Sequence, residues 1–322
     1  MKTVGITVGD PAGIGPEVVG RALATLTAAE PRAQTSFMLF GPAPIIGQIV
    51  SGLPDAGRIL PVATSPDVRE VHAGRYTTAS GSASLAALTA ATDCLVDGSI
   101  GALATGPICK QAFADAGLPF PGQTEFVASR FGCTEWAMML CGSRLKVALA
   151  TTHVSIRELP DAITADLVLR KLRVCDRFMK SHMGIKNPSI AVAGLNPHCG
   201  DGGMFGREDI EIIAPAIQTA RNEGISATGP LAADTVFHRA LSGEFDVVLA
   251  MFHDQGLGPL KLIHFSDAIN ITMGLERVRC ACDHGPAFDL AGSGRADPSS
   301  MLAAIRFATR AAAGATPGRN RA

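Results

Sequence analysis

The run FDVVLAMF at residues 245–252 most limits how this chain can fold, because its centre is apolar at successive positions rather than at alternate ones. A strand buried on one face alternates apolar and polar side chains, whereas a continuous apolar run fits a parallel strand covered on both faces. The chain then turns polar at once. AMFHDQGLGPLK, residues 250–261, places His253, Asp254 and Gln255 directly after the strand and Lys261 six residues beyond Gln255. Open α/β sheets keep their chemistry at such carboxyl ends. Two other histidines share the setting: His153 follows VALATT, and His198 follows IAVAGL through Asn196 and Pro197. One histidine after a strand is usually a hydrogen-bonded loop residue. Three in parallel contexts point to a metal held by imidazoles from three strands. Cys199, beside His198, reads as a packing residue before it reads as a fourth ligand.

The same alternation runs through the chain. A strand over residues 3–8 leads into GDPAGIGPE and a helix, SFMLFG is a second buried strand, and residues 80–97 form a helix with Leu85, Leu88, Ala91, Thr92 and Leu95 on one face. Gly9, Gly13 and Gly15 only partly match a dinucleotide fingerprint, and Pro11 and Pro16 stiffen the loop, so a rigid turn placing Asp10 and Glu17 is as good a reading. The segment Ser80-Gly81-Ser82-Ala83-Ser84 offers donors for an anion or simply caps its helix. Residues 136–152 look like a strand hairpin, and NPHCGDGG at 196–203 is too rich in glycine for regular structure. Strands alternating with helices predict an α/β chain with mostly parallel pairing, with mixed strands in a second, mid-chain region. Residues 316–322 read as a frayed tail.

A net charge of −1 gives no electrostatic case for nucleic acid or a membrane surface. No run is long and apolar enough to span a bilayer, and no charged-then-apolar leader opens the sequence. The eight cysteines form no CxxC pair, which suits reduced thiols and a cytoplasmic location.

Several strings in order, GDPAGIGPE, TGPICK, TTHVSIR, GLNPHCGDGG, FHDQGLGPLK and DHGPAFDLAGSGRAD, resemble the 4-hydroxythreonine-4-phosphate dehydrogenase family over nearly the whole chain. The last also resembles the cofactor loop of isocitrate and isopropylmalate dehydrogenases. The resemblance implies a two-domain fold of that type with its active site in the interdomain cleft. It also implies a homodimer sharing that site, NAD or NADP as oxidant, a small anionic substrate, and one divalent metal (zinc, magnesium, manganese or cobalt). The domains expected are 1–120 with 285–322 on the cofactor side, and 121–284 for substrate, metal and dimerisation. Carried over by motif, His153, His198 and His253 are metal ligands, with His253 expected from the partner subunit. Gln123, Thr124, Lys261, Asn270 and Arg279 contact the substrate. Asp283, His284, Gly285, Asp289 and Gly292 lie near the cofactor.

The chemistry of the residues agrees with this. A metal stabilises the oxygen of a secondary alcohol losing hydride, and Lys261 and Arg279 can fix a carboxylate or phosphate. Lys261, Asp254 and Asp234 are the candidates for proton transfer, with orientation of a histidine the first reading for either carboxylate. Gln123 stands where the family has histidine, which removes a chargeable group from a substrate contact. Pro286 and Met204 are further departures. The expected activity is oxidation of a β-hydroxy acid with decarboxylation, on 4-phosphohydroxy-L-threonine, a phosphorylated four-carbon sugar acid, or a terephthalate-type cis-dihydrodiol. The reading from a different class is a non-catalytic anion binder with a structural metal.

Overall fold

A computed structural model describes residues 3–30, 34–65, 68, 71–118 and 120–315; the tail expected over 316–322 lies outside the described residues. The chain forms two compact units, one of Met1–Thr134 with Leu275–Ala315 and one built on Glu135–Gly274.

Unit 1 opens with β1 (Thr3–Thr7), α1 (Gly15–Ala29), β2 (Ser36–Pro42), α2 (Ala43–Ser51), β3 (Ile59–Ser65) and α3 (Thr78–Asp97). It continues through β4 (Ala102–Thr105), α4 (Lys110–Asp115) and α5 (Gln123–Arg130). Unit 2 comprises β5 (Ala137–Cys141), β6 (Lys146–Leu149), α6 (Leu159–Ala162), α7 (Ala165–Ser181), β7 (Ile190–Ala193), α8 (Ala214–Asn222), β8 (Ala227–Leu231), α9 (Ala233–Leu241), β9 (Val247–Ala250), α10 (His253–Ile263) and β10 (Ile269–Met273). The chain returns to unit 1 with β11 (Val278–Cys282) and α11 (Ser299–Ala312).

In unit 1 the strand order β3-β2-β1-β4-β11 is parallel throughout. Unit 2 follows the order β10-β5-β6-β9-β7-β8, with antiparallel pairing of β10 with β5 and β5 with β6, and parallel pairing of β6 with β9, β9 with β7 and β7 with β8. The mid-chain hairpin is thus β5–β6. Val247, Val248, Leu249 and Ala250 of β9 are all at most 1% exposed, which is why that run shows no alternation. α7 covers the sheet with Val168, Leu172, Cys175 and Met179. Their spacing of three and four residues makes one helical stripe, and a fully buried leucine there contributes about 1.5–3 kcal/mol.

The unit borders differ from those expected. Residues 121–134 and 275–284 belong to unit 1, because α5 packs on α3 and β11 pairs in parallel with β4. At the start of α3, Ser80 resolves as a capping residue. Thr77 accepts from the Ser80 amide at 3.1 Å and Ser80 Oγ accepts from the Thr77 amide at 3.1 Å, a reciprocal capping box. All eight cysteines are free thiols. Among the described residues, no helix is long and apolar enough to cross a membrane.

Candidate active site

The parallel register of β6, β9 and β7 pairs Leu149 with Ala250 and Val192 with Leu249, so the three strands end side by side. His153, His253 and His198 follow those three ends. The His153 and His253 rings lie 5.9 Å apart between centroids. Short polar struts tie the strand ends together. Thr151 Oγ1 donates to the Met251 carbonyl at 2.7 Å. Gln255 Oε1 accepts from the Met251 amide at 2.7 Å, and its Nε2 donates to the Gly194 carbonyl at 2.7 Å. Gln255 therefore joins the segment carrying His253 to the one carrying His198, a role its place in the sequence did not disclose. His253 Nδ1 pairs with Asp254 Oδ1 at 2.7 Å, which leaves Nε2 as the nitrogen that could serve a ligand.

His198 sits in an unusual turn. From His198 to Gly202 every residue has positive φ, including the non-glycine residues His198 (52°), Cys199 (56°) and Asp201 (44°). Left-handed backbone costs about 1–2 kcal/mol for each such residue. Strain of this kind survives only where the surroundings over-determine it. Here the anchor is Asp209, fully buried, which accepts from the amides of Leu195 (2.8 Å) and Asn196 (3.0 Å) and from Asn196 Nδ2 (3.1 Å). Asp209 begins a π-helical turn, Asp209–Ile213, a geometry common at functional sites. Asp234, in the first turn of α9, lies close enough that its charge, after burial and Asp209, helps push the Cys199 thiol up.

Three imidazoles are suitable donors for zinc and similar divalent ions. Among the described residues of one chain, however, no group of three histidine, cysteine, aspartate or glutamate side chains closes around one point. One chain thus brings His153 and His253 close together, without a third such side chain completing a ligand set among the described residues. His253, expected from a second subunit, has His153 of its own chain as a neighbour. Lys261 lies eight residues along α10 from His253, about 12 Å at 1.5 Å per residue. On β10, the Oδ1 of Asn270 is buried without a hydrogen-bond partner among the described residues, so it is ready to accept from a ligand.

Unit 1 holds a second cluster. Arg279 on β11 is 2% exposed. Its Nη2 donates to Thr105 Oγ1 at 2.6 Å and to Gln123 Oε1 at 3.1 Å, and its Nη1 to Thr124 Oγ1 at 3.3 Å. Gln123 Nε2 donates to the Gly106 carbonyl at 3.2 Å, which fixes the amide with its oxygen toward the guanidinium. Burial lowers the Arg279 pKa to about 10, only partly offset by Cys280, Cys282 and Glu125, so the group remains charged at neutral pH.

Beside this cluster, three loops of unit 1 converge. The Asp10 amide donates to the Pro107 carbonyl at 2.8 Å and the Ile14 amide to the Pro286 carbonyl at 2.8 Å. A Cβ on Gly9 would lie 2.3 Å from the Pro107 oxygen, and one on Gly13 would lie 2.6 Å from Pro286 Cβ. These glycines admit neighbouring loops, so the rigid-turn reading holds for them. Glu17 accepts from the amides of Ala296 (2.9 Å) and Gly294 (3.3 Å), and Arg21 donates to the Ala296 carbonyl. Helix α1 thereby tethers the loop over 283–297, a second role the sequence did not disclose. Within that loop the Asp283 amide donates to Ser300 Oγ at 2.9 Å, Gly292 has φ 76°, and Gly285 and Asp289 are exposed. His284 Nδ1 faces the Gly285 carbonyl at 3.0 Å, and its Nε2 is buried without a hydrogen-bond partner among the described residues. A lone pair placed there suits a hydroxyl or amide donor, as a nucleotide would provide.

Asp10 is fully buried, and burial raises its carboxyl pKa against the pull of the Ala12 amide and Ser80. A raised pKa means that its contribution to stability is complete below the ordinary value of 3.8 and is lost as pH rises through the folded value. Asp10→Asn is therefore expected to hold or raise the melting temperature at pH 7.5, with the gain fading toward pH 4. A variant less stable at every pH would show instead that the fold needs the ionised carboxylate.

The profile of the pyridoxal phosphate biosynthetic protein PdxA family matches residues 24–308. The chain belongs to this family. A relative from Geobacter metallireducens, named 4-hydroxythreonine-4-phosphate dehydrogenase, is 42% identical over 95% of this chain and 94% of its own length. The crystal structure of 4-hydroxythreonine-4-phosphate dehydrogenase from Klebsiella pneumoniae is 35% identical, covers 97% of this chain and 100% of its own, and superposes with a TM-score of 0.84. That of a terephthalate 1,2-cis-dihydrodiol dehydrogenase from Burkholderia xenovorans is 31% identical, with 98% and 99% coverage and a TM-score of 0.67. In fold alone, this PdxA-family chain is also like isocitrate dehydrogenase from Methylococcus capsulatus, with 14% identity, 97% and 88% coverage and a TM-score of 0.52. The fold is thus the α/β fold of isocitrate and isopropylmalate dehydrogenases, as the cofactor-loop string implied.

Proposed function

We propose that this PdxA-family chain is a metal-dependent NAD(P) dehydrogenase that oxidises a β-hydroxy acid, with 4-phosphohydroxy-L-threonine as the leading substrate and decarboxylation following. What carries this reading is the delivery of three imidazoles by three adjacent parallel strands, in a chain whose relatives bear dehydrogenase names. His153, His198 and His253, with a second subunit contributing, would hold a divalent ion, and such an ion would supply Lewis acidity toward the substrate. Asp283, His284, Gly285, Asp289 and Gly292 are the residues that would lie along a bound nicotinamide cofactor, which would supply the hydride acceptor.

The remaining work falls to side chains. Asp254 holds the Nδ1 proton of His253 and so orients that ring. Asp234, exposed at the start of α9, is left as the acceptor of the hydroxyl proton. On unit 1, Arg279 is the anchor for a substrate anion, with Thr124 and Gln123 bonded beside it; on unit 2, Lys261 and Asn270 are the substrate contacts, Asn270 through an Oδ1 able to accept from a hydroxyl or ammonium group. A homodimer completes the ligand set that one chain leaves open. Ile156 (70% exposed), Met204 (74%), Leu262 (89%) and Phe265 (79%) flank the histidine and Lys261 segments, and exposed apolar groups of this size suit a second copy.

Gln123 favours a second substrate within this reading. Its amide is neutral and its oxygen faces Arg279, so the cluster has less positive charge to offer a dianionic phosphate than an imidazolium would add. That suits a phosphate-free acid such as the dihydrodiol. The test is NAD(P)⁺ reduction by the purified protein with Co²⁺, Mn²⁺, Zn²⁺ or Mg²⁺, using phosphorylated and phosphate-free hydroxy acids, repeated with Gln123→His. Turnover of one acid is expected, and the histidine variant should shift kcat/KM toward phosphorylated acids about tenfold, or 1.4 kcal/mol. No turnover, together with no binding of NAD⁺ or NADP⁺ at millimolar concentration, would leave the anion binder with a structural metal as the reading.

A further inference from the structure

We infer that Asp209 is a positioning residue for the reaction, because its buried carboxylate holds the left-handed turn that presents His198. The inference rests on the proposed role of His198 as a metal ligand. The stem of the turn is fixed by hydrogen bonds to one carboxylate. Both oxygens of Asp209 are spent on Leu195 and Asn196, the residues entering the turn, and Asn196 Nδ2 reaches Glu208 Oε2 as well, at 2.7 Å. The turn then closes on itself through Cys199 N to Asn196 O (3.0 Å) and Phe205 N to Gly200 O (3.0 Å).

The packing around the carboxylate leaves it no slack. A Cβ on Gly194 would lie 2.8 Å from Asp209 Oδ1 and 2.8 Å from Cys199 Sγ, so glycine there lets the end of β7 meet the carboxylate. A Cβ on Gly206 would lie 2.6 Å from Glu208 Oε2 and 2.7 Å from Asn196 Nδ2. Gln255 fixes the same strand end through the Gly194 carbonyl. Three residues that disfavour left-handed backbone are held there by one ionisable group with no exposure of its own. Without that group the turn relaxes toward ordinary backbone angles, and the His198 ring leaves the place set for it.

Asparagine at 209 is nearly the same size but must point an NH₂ at one of two amide donors. Co²⁺ binding by the full-length protein, read by calorimetry and by the visible absorption bands of the ion, tests the inference. Asp209→Asn is expected to bind Co²⁺ at least tenfold more weakly than wild type, with altered bands. Asn196→Ala, which removes only the side-chain donor, should bind about threefold more weakly, and it carries the test if Asp209→Asn does not fold. Adding Asp201→Gly to Asp209→Asn should recover part of the affinity, since glycine enters left-handed backbone without penalty. A carboxylate that merely supports the fold would lower the melting temperature, leave the bands of the folded protein unchanged and show no such rescue. If wild type binds Co²⁺ and the folded variants match it within twofold, this inference alone fails. If wild type takes up no Co²⁺, the ligand role of His198 fails with it.

Discussion

His198→Ala is expected to lower kcat/KM for NAD(P)⁺ reduction by at least about a thousand-fold at fixed metal concentration, roughly 4 kcal/mol of transition-state stabilisation. The size follows from the role proposed for the imidazole, since a divalent ion that loses one of its nitrogen donors is both bound more weakly and misplaced. The fold should not notice. His198 is exposed in its turn, so the denaturation midpoint should stay within about 0.5 kcal/mol of wild type. Steady-state rates paired with chemical denaturation separate these effects. Undiminished turnover would remove the histidine site from the reaction, whereas a large loss of stability would show that the ring supports the turn instead of serving a ligand.

How far this site could be read from the sequence depends on the range of the interactions that build it. The three strand-then-histidine strings are local, and they pointed to strand ends that do lie side by side. The order of the strands that brings β6 and β7 to either side of β9 is a long-range property that no string contains. The glycines of NPHCGDGG announced an irregular loop, but its left-handed run depends on a carboxylate eight residues past Asp201, within a segment that reads as an ordinary helix start. The Glu17 tether joins residues about 280 positions apart and was equally invisible. Capping at Ser80 was open between two readings until the Thr77 contact chose one. The borders of the compact units differ from the expected ones where a short helix and a strand take their unit from what they pack against, which composition does not state.

Arg279 separates binding from stability most sharply. Moving a guanidinium from its ordinary pKa of 12.5 to about 10 costs the folded chain about 3 kcal/mol, since one pKa unit is about 1.4 kcal/mol. Because the folded value is the lower one, that cost applies in full at every pH below about 10 and relaxes only above it, so it gives no stability profile near neutrality. Thr105, Gln123 and Thr124 solvate the charge with neutral oxygens, which is weaker compensation than a bound carboxylate or phosphate would give. Arg279→Met keeps most of the volume and removes the charge, and replacing a buried ion with a packed apolar group is commonly neutral or stabilising. The variant is therefore expected to match or exceed wild type in chemical denaturation, while KM for the hydroxy acid rises about a hundredfold from the loss of charge-assisted bonds worth about 1.5–3 kcal/mol each. A drop of 3–5 kcal/mol in stability would instead make the cluster a structural network; unchanged stability with an unchanged KM would move the substrate's anion elsewhere.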